Sequence, residues 1–160
     1  MKNLTYLLLL ISLSSVAQSV KVMTYNIRLD VAADGENRWD NRKDFLAAQV
    51  LFNEPDFLGI QEAQHHQMQY LDNTLTGYSH IGVGRDDGAT GGEYSAVFYN
   101  SKRFRLVTQS TFWLSPTPEK VSIGWDAAYK RVCTYGLFEE TKTHKKLWVF
   151  NTHFDHVGNV

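Results

Sequence analysis

Cysteine is almost missing from this chain: Cys133 is the single one in 160 residues, so no disulfide can close within it and the fold must rest on packing. Net charge is just as scarce. Sixteen Lys and Arg against seventeen Asp and Glu leave −1, which removes the electrostatic case for non-specific nucleic-acid binding. A nucleic-acid substrate would have to be held by a local site. The apolar stretch from Leu4 to Leu13 is too short for a membrane span, and no Pro/Ser linker, repeat or low-complexity block follows it. What is present at the start is Met1-Lys2-Asn3, that apolar stretch, and then Ser14-Ser15-Val16-Ala17 with the small-x-small spacing of a signal-peptidase site. A buried first helix is the alternative. A basic start, short apolar centre and small-residue exit in this order predict a signal peptide over 1–17 and an exported, soluble chain, periplasmic or extracellular, with one domain over 18–160.

The periodicity beyond residue 17 is mixed. Strands are predicted at 20–26, 57–61, 78–83, 94–100, 105–113, 131–138 and 146–152. Two helices are predicted between them. The first runs over 40–52, with Asp40 or Asn41 as its cap, Phe45, Ala48 and Phe52 as its apolar positions and Pro55 as its stop; the second runs over 64–75, with Met68, Leu71 and Leu75 on one face. Two βα steps followed by several strands predict an α/β (α+β) fold, a mixed sheet with its helices on one face. The run Leu147-Trp148-Val149-Phe150 reads as a buried strand.

Polar groups gather at the predicted strand ends. Asn26 ends the first strand, Glu62 the second, and Asn151 and His153 the last, with Asp155 and His156 just beyond. Open α/β sheets usually place their sites at such ends. A carboxylate with two amides makes a hard, oxygen-rich environment suited to Mg²⁺, Mn²⁺ or Ca²⁺, and a neutral histidine beside it can orient or protonate an oxygen. Singly, Asn26 is equally well a turn residue, Glu62 a helix cap and His153 an interior histidine. The segment 85–92 is glycine-rich and reads as a flexible loop; without a Lys-Ser/Thr ending and a following helix it is not a phosphate-binding P-loop. Tyr94, Trp113, Trp125 and Tyr129 are candidates for lining a substrate cleft, although such aromatics more often belong to core or rim.

The ordered set Met23-Thr24-Tyr25-Asn26-Ile27, Gly59-Ile60-Gln61-Glu62-Ala63, Gly92-Glu93-Tyr94-Ser95-Ala96-Val97-Phe98-Tyr99 and Asn151-Thr152-His153-Phe154-Asp155 resembles the endonuclease/exonuclease/phosphatase superfamily, which includes deoxyribonuclease I. The resemblance runs from Lys21 to the end of the chain. It implies two β-sheets face to face with helices outside, and a divalent metal, Mg²⁺ or else Mn²⁺ or Ca²⁺, that serves phosphoester hydrolysis. By resemblance Glu62 is the metal-binding carboxylate and Asn26 a catalytic residue holding the metal shell or the phosphate. Glu93 and His153 correspond to a glutamate–histidine pair within hydrogen-bonding reach, in which the carboxylate raises the imidazole pKa and the imidazole carries a proton. Arg131, beside the Trp125-Asp126-Ala127-Ala128 segment similar to exported bacterial members, corresponds to a phosphate-gripping arginine; a solvated strand-end arginine is the alternative. Asn151 is expected at the phosphate too, with Asp155 and His156 as weaker site candidates.

The family's later Gly-Asp-x-Asn and terminal Asp-His motifs have no counterpart before Val160. The resemblance therefore implies the amino-terminal half of a four-layer α/β/β/α sandwich. The other half of the domain would supply the water-activating group, further ligands and the second sheet. On that expectation the short chain is inactive and marginally stable, since each large side chain left wet forfeits roughly 1.5–3 kcal/mol against a total of about 5–15 kcal/mol. Nucleic acid, nucleotides and lipid or inositol phosphates are all open as substrates, and the complete protein is expected to be a monomer. The competing class is a non-catalytic exported module binding carbohydrate or another ligand, suggested by 13% aromatic residues.

Overall fold

The computed structural model describes residues 19–158. The predicted signal peptide lies outside them. The elements in order are β1 (Val22–Asn26), a short 3₁₀ segment (Ala32–Asn37), α1 (Trp39–Asn53), β2 (Phe57–Ala63), α2 (His65–Thr74), β3 (Tyr78–Ile81), β4 (Tyr94–Asn100), β5 (Phe104–Trp113), β6 (Val132–Glu140) and β7 (Lys146–Thr152). The mixed α+β character is as the sequence predicts. Among the described residues no helix is long and apolar enough to cross a membrane.

The strands divide between two sheets. A mixed sheet has the order β1-β2-β4-β3, with β1 and β2 parallel and the remaining pairs antiparallel. An antiparallel sheet has the order β5-β6-β7. The helices cover one face of the first sheet, joined to it through Leu46, Val50, Leu58, Ile60, Leu71 and Phe98. Its other face meets the second sheet through Phe57, Ile81, Val97, Phe104 and Phe138, five fully or almost fully buried side chains. At roughly 1.5–3 kcal/mol each they form an inter-sheet core in their own right. This corrects the expectation that the second sheet is to come from elsewhere: β5, β6 and β7 already form it.

Apolar surface is instead left uncovered on the outer face of that second sheet. Leu147 and Val149 point inward from β7 while Trp148 and Phe150 point outward, 50% and 60% exposed, beside Tyr135. So among the described residues β7 is an edge strand exposed on one face, not the fully buried strand that its composition predicts. In α1 the apolar face is also rotated from expectation. Trp39, Leu46, Ala47 and Val50 are buried, whereas Phe45 and Phe52 are 67% and 85% exposed. The helix starts at Trp39, ahead of Asp40 and Asn41, because its cap comes from a distance: Asp30 Oδ1 accepts from the Trp39 backbone N–H at 3.3 Å. It stops at Asn53, with Glu54 left-handed before Pro55, as a residue preceding proline is driven out of the helical region.

Candidate active site

The parallel pairing of β1 and β2 sets Asn26 opposite Gln61, and both strands run out at the same end of the sheet. There β2 departs from regular pairing with β4 between Ile60 and Ala63. Within this bulge Glu62 has φ = 64°, a left-handed conformation that costs a non-glycine residue about 1–3 kcal/mol and persists only where its surroundings hold it. They do. Asn26 donates through Nδ2 to Glu62 Oε1 at 2.7 Å, and the Leu29 backbone N–H reaches Oε2 at 3.3 Å. Asn26 is itself fixed, since its Oδ1 accepts from the Arg28 N–H at 2.9 Å. Sequence reasoning placed Glu62 at a strand end; the bulge that turns it was not visible there.

The other contributions come from the second sheet, facing the first across the sandwich. His153 follows β7 and brings Nε2 to 3.9 Å from Glu62 Oε1. Its Nδ1 receives a hydrogen bond from Arg131 at 3.3 Å. An arginine can only donate, so in the neutral ring Nδ1 is the acceptor and Nε2 carries the proton toward Glu62. Burial, and then the Arg131 guanidinium, hold the His153 pKa below its ordinary value against the opposing pull of Glu62 and Glu93. The expectation of a carboxylate-raised imidazole is corrected in sign.

Glu93 and His153 border one crevice with Arg85 and Arg131, yet among the described residues no hydrogen bond joins the pair. Glu93 is taken by Arg85 in a two-pronged contact at 2.9 and 2.8 Å. β4, which Glu93 precedes, and β7, which His153 follows, lie in different sheets. Arg85 is the residue that sequence reasoning missed, dismissed within a loop read as flexible. That loop is closed by hydrogen bonds from Arg85 N to Glu93 O and Asp86 N to Gly91 O, and by the Asp87 carboxylate on the Ala89 and Gly91 N–H groups. The available signal was the eight-residue spacing from Arg85 to Glu93, which a hairpin turns into a contact.

Arg131 is buried just before β6, 5% exposed, and its donors are largely committed: Nε to Asp155 at 3.1 Å and the two terminal nitrogens to His153 and to His156 Nδ1. It orients His153 rather than standing free at a strand end. Asp155 anchors the arrangement. Backbone N–H groups of Gly158 and Val157, together with Arg131, hold its carboxyl far below the usual carboxylate range. His156 stacks on Tyr129 at 6.2 Å. Tyr94 and Trp113 are core, while Trp125 and Tyr129 are exposed.

Asn151 lies inside the sandwich, 8% exposed. Its Nδ2 donates to the carbonyls of Ile60 and Ala96, both at 2.8 Å, and its Oδ1 accepts from Gln61 Nε2 at 2.8 Å. Every polar atom of its amide is thus used to join β7 to β2 and β4 beside the Glu62 bulge. This corrects the assignment of Asn151 to the substrate phosphate. Gly59 gives it room, as a Cβ there would stand 2.8 Å from Asn151 Oδ1.

The same architecture occurs in solved structures. An endonuclease/exonuclease/phosphatase protein from Bacteroides vulgatus is 43% identical with a TM-score of 0.86, over 87% of this chain and 54% of that one. The chain belongs to the endonuclease/exonuclease/phosphatase superfamily. A mannosyl-6-phosphatase from Bacteroides thetaiotaomicron is 40% identical with a TM-score of 0.86, over 88% of this chain and 54% of that one. A protein of Acanthamoeba polyphaga mimivirus is 28% identical over 125 residues, 74% of this chain and 47% of the relative. No family model matches the sequence. The chain thus spans about half the length of the superfamily relatives it matches.

The donor set at the bulge is compatible with one mode of divalent-cation binding. Among the described residues there is no group of three or more His, Cys, Asp or Glu side chains able to hold an ion. Mg²⁺ does not need such a cage, because it keeps several waters and is commonly held by one or two carboxylates plus substrate phosphate. Glu62, a partly exposed carboxylate fixed by Asn26 and Leu29, suits that mode.

Proposed function

We propose that this protein is an exported phosphoesterase of the superfamily, dependent on a divalent cation held at Glu62. The observation that carries the reading is the strained bulge aiming the Glu62 carboxylate, braced by Asn26, at the proton-bearing Nε2 of His153. Strain retained at one polar strand end is a mark of function more than of folding. Mg²⁺ or Mn²⁺ there would neutralise charge on the phosphate as the ester bond breaks. The residues of the chain do the rest. Glu62 supplies the anionic ligand, Asn26 fixes its orientation, and His153 Nε2 donates to a phosphate oxygen or to the departing alkoxide. Arg131 keeps that proton on Nε2.

Relatives that include a mannosyl-6-phosphatase favour a phosphate monoester among the possible substrates, and membership of a hydrolase superfamily disfavours the purely ligand-binding alternative. The described residues offer one carboxylate beside the bulge and no second acid arranged to activate water. We therefore propose that turnover needs the part of the domain that the longer relatives possess, and that the 160 residues alone bind phosphate weakly and hydrolyse negligibly.

A chimera joining residues 19–158 to the remaining half of the Bacteroides vulgatus relative tests this reading. Mannose 6-phosphate and p-nitrophenyl phosphate should be hydrolysed with Mg²⁺, and Glu62→Gln should lower the rate at least ~100-fold with the fold retained. Undiminished activity in excess chelator, or in Glu62→Gln, would refute it. Export is tested separately by sequencing the amino terminus of the secreted protein, which should begin at Gln18.

A further inference from the structure

Beyond Arg131 lies a second cleft that the phosphate chemistry does not use. It has a volume of about 340 Å³ and is bordered by Trp125, Asp126, Arg131, Phe154 and Asp155. That is the small end of the ~300–1,000 Å³ range of ligand pockets, room for one ring. Resting on the phosphoesterase reading, we infer that this cleft is the subsite for the alcohol half of the substrate, and that it takes a neutral, hydroxyl-bearing ring such as a hexose carrying its phosphate at Arg131 and His153.

Three observations carry this. Trp125 and Phe154, 63% and 72% exposed, both present aromatic surface on the border of one cleft. Trp125 also has φ = 47°, a left-handed conformation that is an outlier for so bulky a residue. Strain of that kind clusters at ligand clamps. Finally, the cleft is built in advance of any ligand. The Asp155 carboxylate accepts from the backbone N–H of Ala128, Val157 and Gly158 and from Arg131, so one side chain joins the Trp125 turn to the segment after His153.

Charge selects the occupant. Two carboxylates, Asp126 and Asp155, border the cleft against a single guanidinium. A second phosphate would be repelled there, which disfavours a nucleic-acid chain or a polyphosphate. The apolar C–H face of a sugar ring can lie on an aromatic side chain. Because Arg131 borders this cleft and also touches His153, a ring lodged in the cleft brings its phosphate toward the proton donor.

The test is calorimetric titration of the full chain in Mg²⁺ with inorganic phosphate, mannose 6-phosphate, adenosine 5′-monophosphate and methyl α-mannopyranoside. Mannose 6-phosphate should bind at least tenfold more tightly than inorganic phosphate, and adenosine 5′-monophosphate should not share that advantage. Trp125→Asn, chosen because asparagine tolerates a left-handed backbone, should bring the ratio close to one, as should Phe154→Ala if the first variant misfolds. Trp148→Lys, on the outer sheet face, should keep the ratio. A ratio that survives both cleft variants, an adenosine ester that gains as much as the sugar ester, or no binding of any probe would overturn the subsite. Binding of methyl α-mannopyranoside that Trp125→Asn removes, with no binding of phosphate, would leave the subsite standing and remove the phosphoesterase reading beneath it. Phosphate bound with no gain from the sugar would do the reverse.

Discussion

Replacing Asn151 with alanine separates a structural role from a substrate-binding one. The change removes the donor of two hydrogen bonds at 2.8 Å, to the carbonyls of Ile60 and Ala96, in a side chain that is 8% exposed. Gln61 keeps other partners for its Nε2, Thr24 Oγ1 at 3.1 Å and Gly59 O at 3.3 Å, so the loss falls mainly on the two carbonyls. A buried acceptor left without its donor costs about 1–3 kcal/mol. Two such groups, eased by some local rearrangement, give an expected loss of about 2–4 kcal/mol, a large share of the ~5–15 kcal/mol that holds a domain together. Asn151→Asp should be at least as harmful, because it sets a buried carboxylate oxygen against two carbonyl oxygens. Urea denaturation followed by tryptophan fluorescence measures both. Unfolding of Asn151→Ala within ~0.5 kcal/mol of the parent, together with weakened phosphate binding, would return Asn151 to the substrate and refute its place as the inter-sheet tie.

Arg103, at another join between the sheets, bonds to Glu140 at 2.8 Å and to Asp56 at 2.6 Å, two buried carboxylates. Arg103→Ala should cost about 3 kcal/mol, the low end of ~3–5 kcal/mol for a broken buried pair since Arg103 is partly exposed; thermal unfolding unchanged from the parent would count against this. Asp30 is held down to about 2 by its hydrogen bonds to Arg38, below its ordinary 3.8. That contribution is complete above pH ~4 and is lost as pH falls toward 2, so Arg38→Gln should flatten the acid limb of the stability profile, and parallel profiles would contradict it. On the outer sheet face, the double change Trp148→Lys with Phe150→Lys should reduce aggregation and dye binding at nearly constant stability; equal aggregation would mean that another surface is responsible.

Much of the fold was legible because local patterns decide it. β4 and β7 match their predicted bounds, and Met68 and Leu71 of α2, with Leu75 just past its end, are buried as the spacing predicts. Sheet membership was not legible, since strand composition does not say which strands pair and which stack. The inter-sheet contact of Phe57 with Phe104 and Phe138, at 4.7 and 4.9 Å, joins residues far apart in sequence. The face of α1 was misread because Phe45 and Phe52 are more hydrophobic than Ala47, yet packing favoured the stripe of Leu46, Ala47 and Val50. In the site, Asn26, Glu62 and His153 converge as strand ends predict. Partners were the harder part: Glu93 meets Arg85 because a hairpin turns their eight-residue spacing into a contact, whereas the Arg131–His153 contact joins residues that no local spacing relates.

The central claim, that Glu62 is the cation ligand of a phosphate site, is tested most directly by titrating the ¹⁵N-labelled chain with Mn²⁺ and following paramagnetic broadening of its amide resonances. The account predicts early, selective broadening at Asn26, Leu29, Glu62 and His153, reversed by Mg²⁺ and abolished in Glu62→Gln. Broadening centred instead on the Asp86–Asp87 loop, or persisting unchanged in Glu62→Gln, would contradict it.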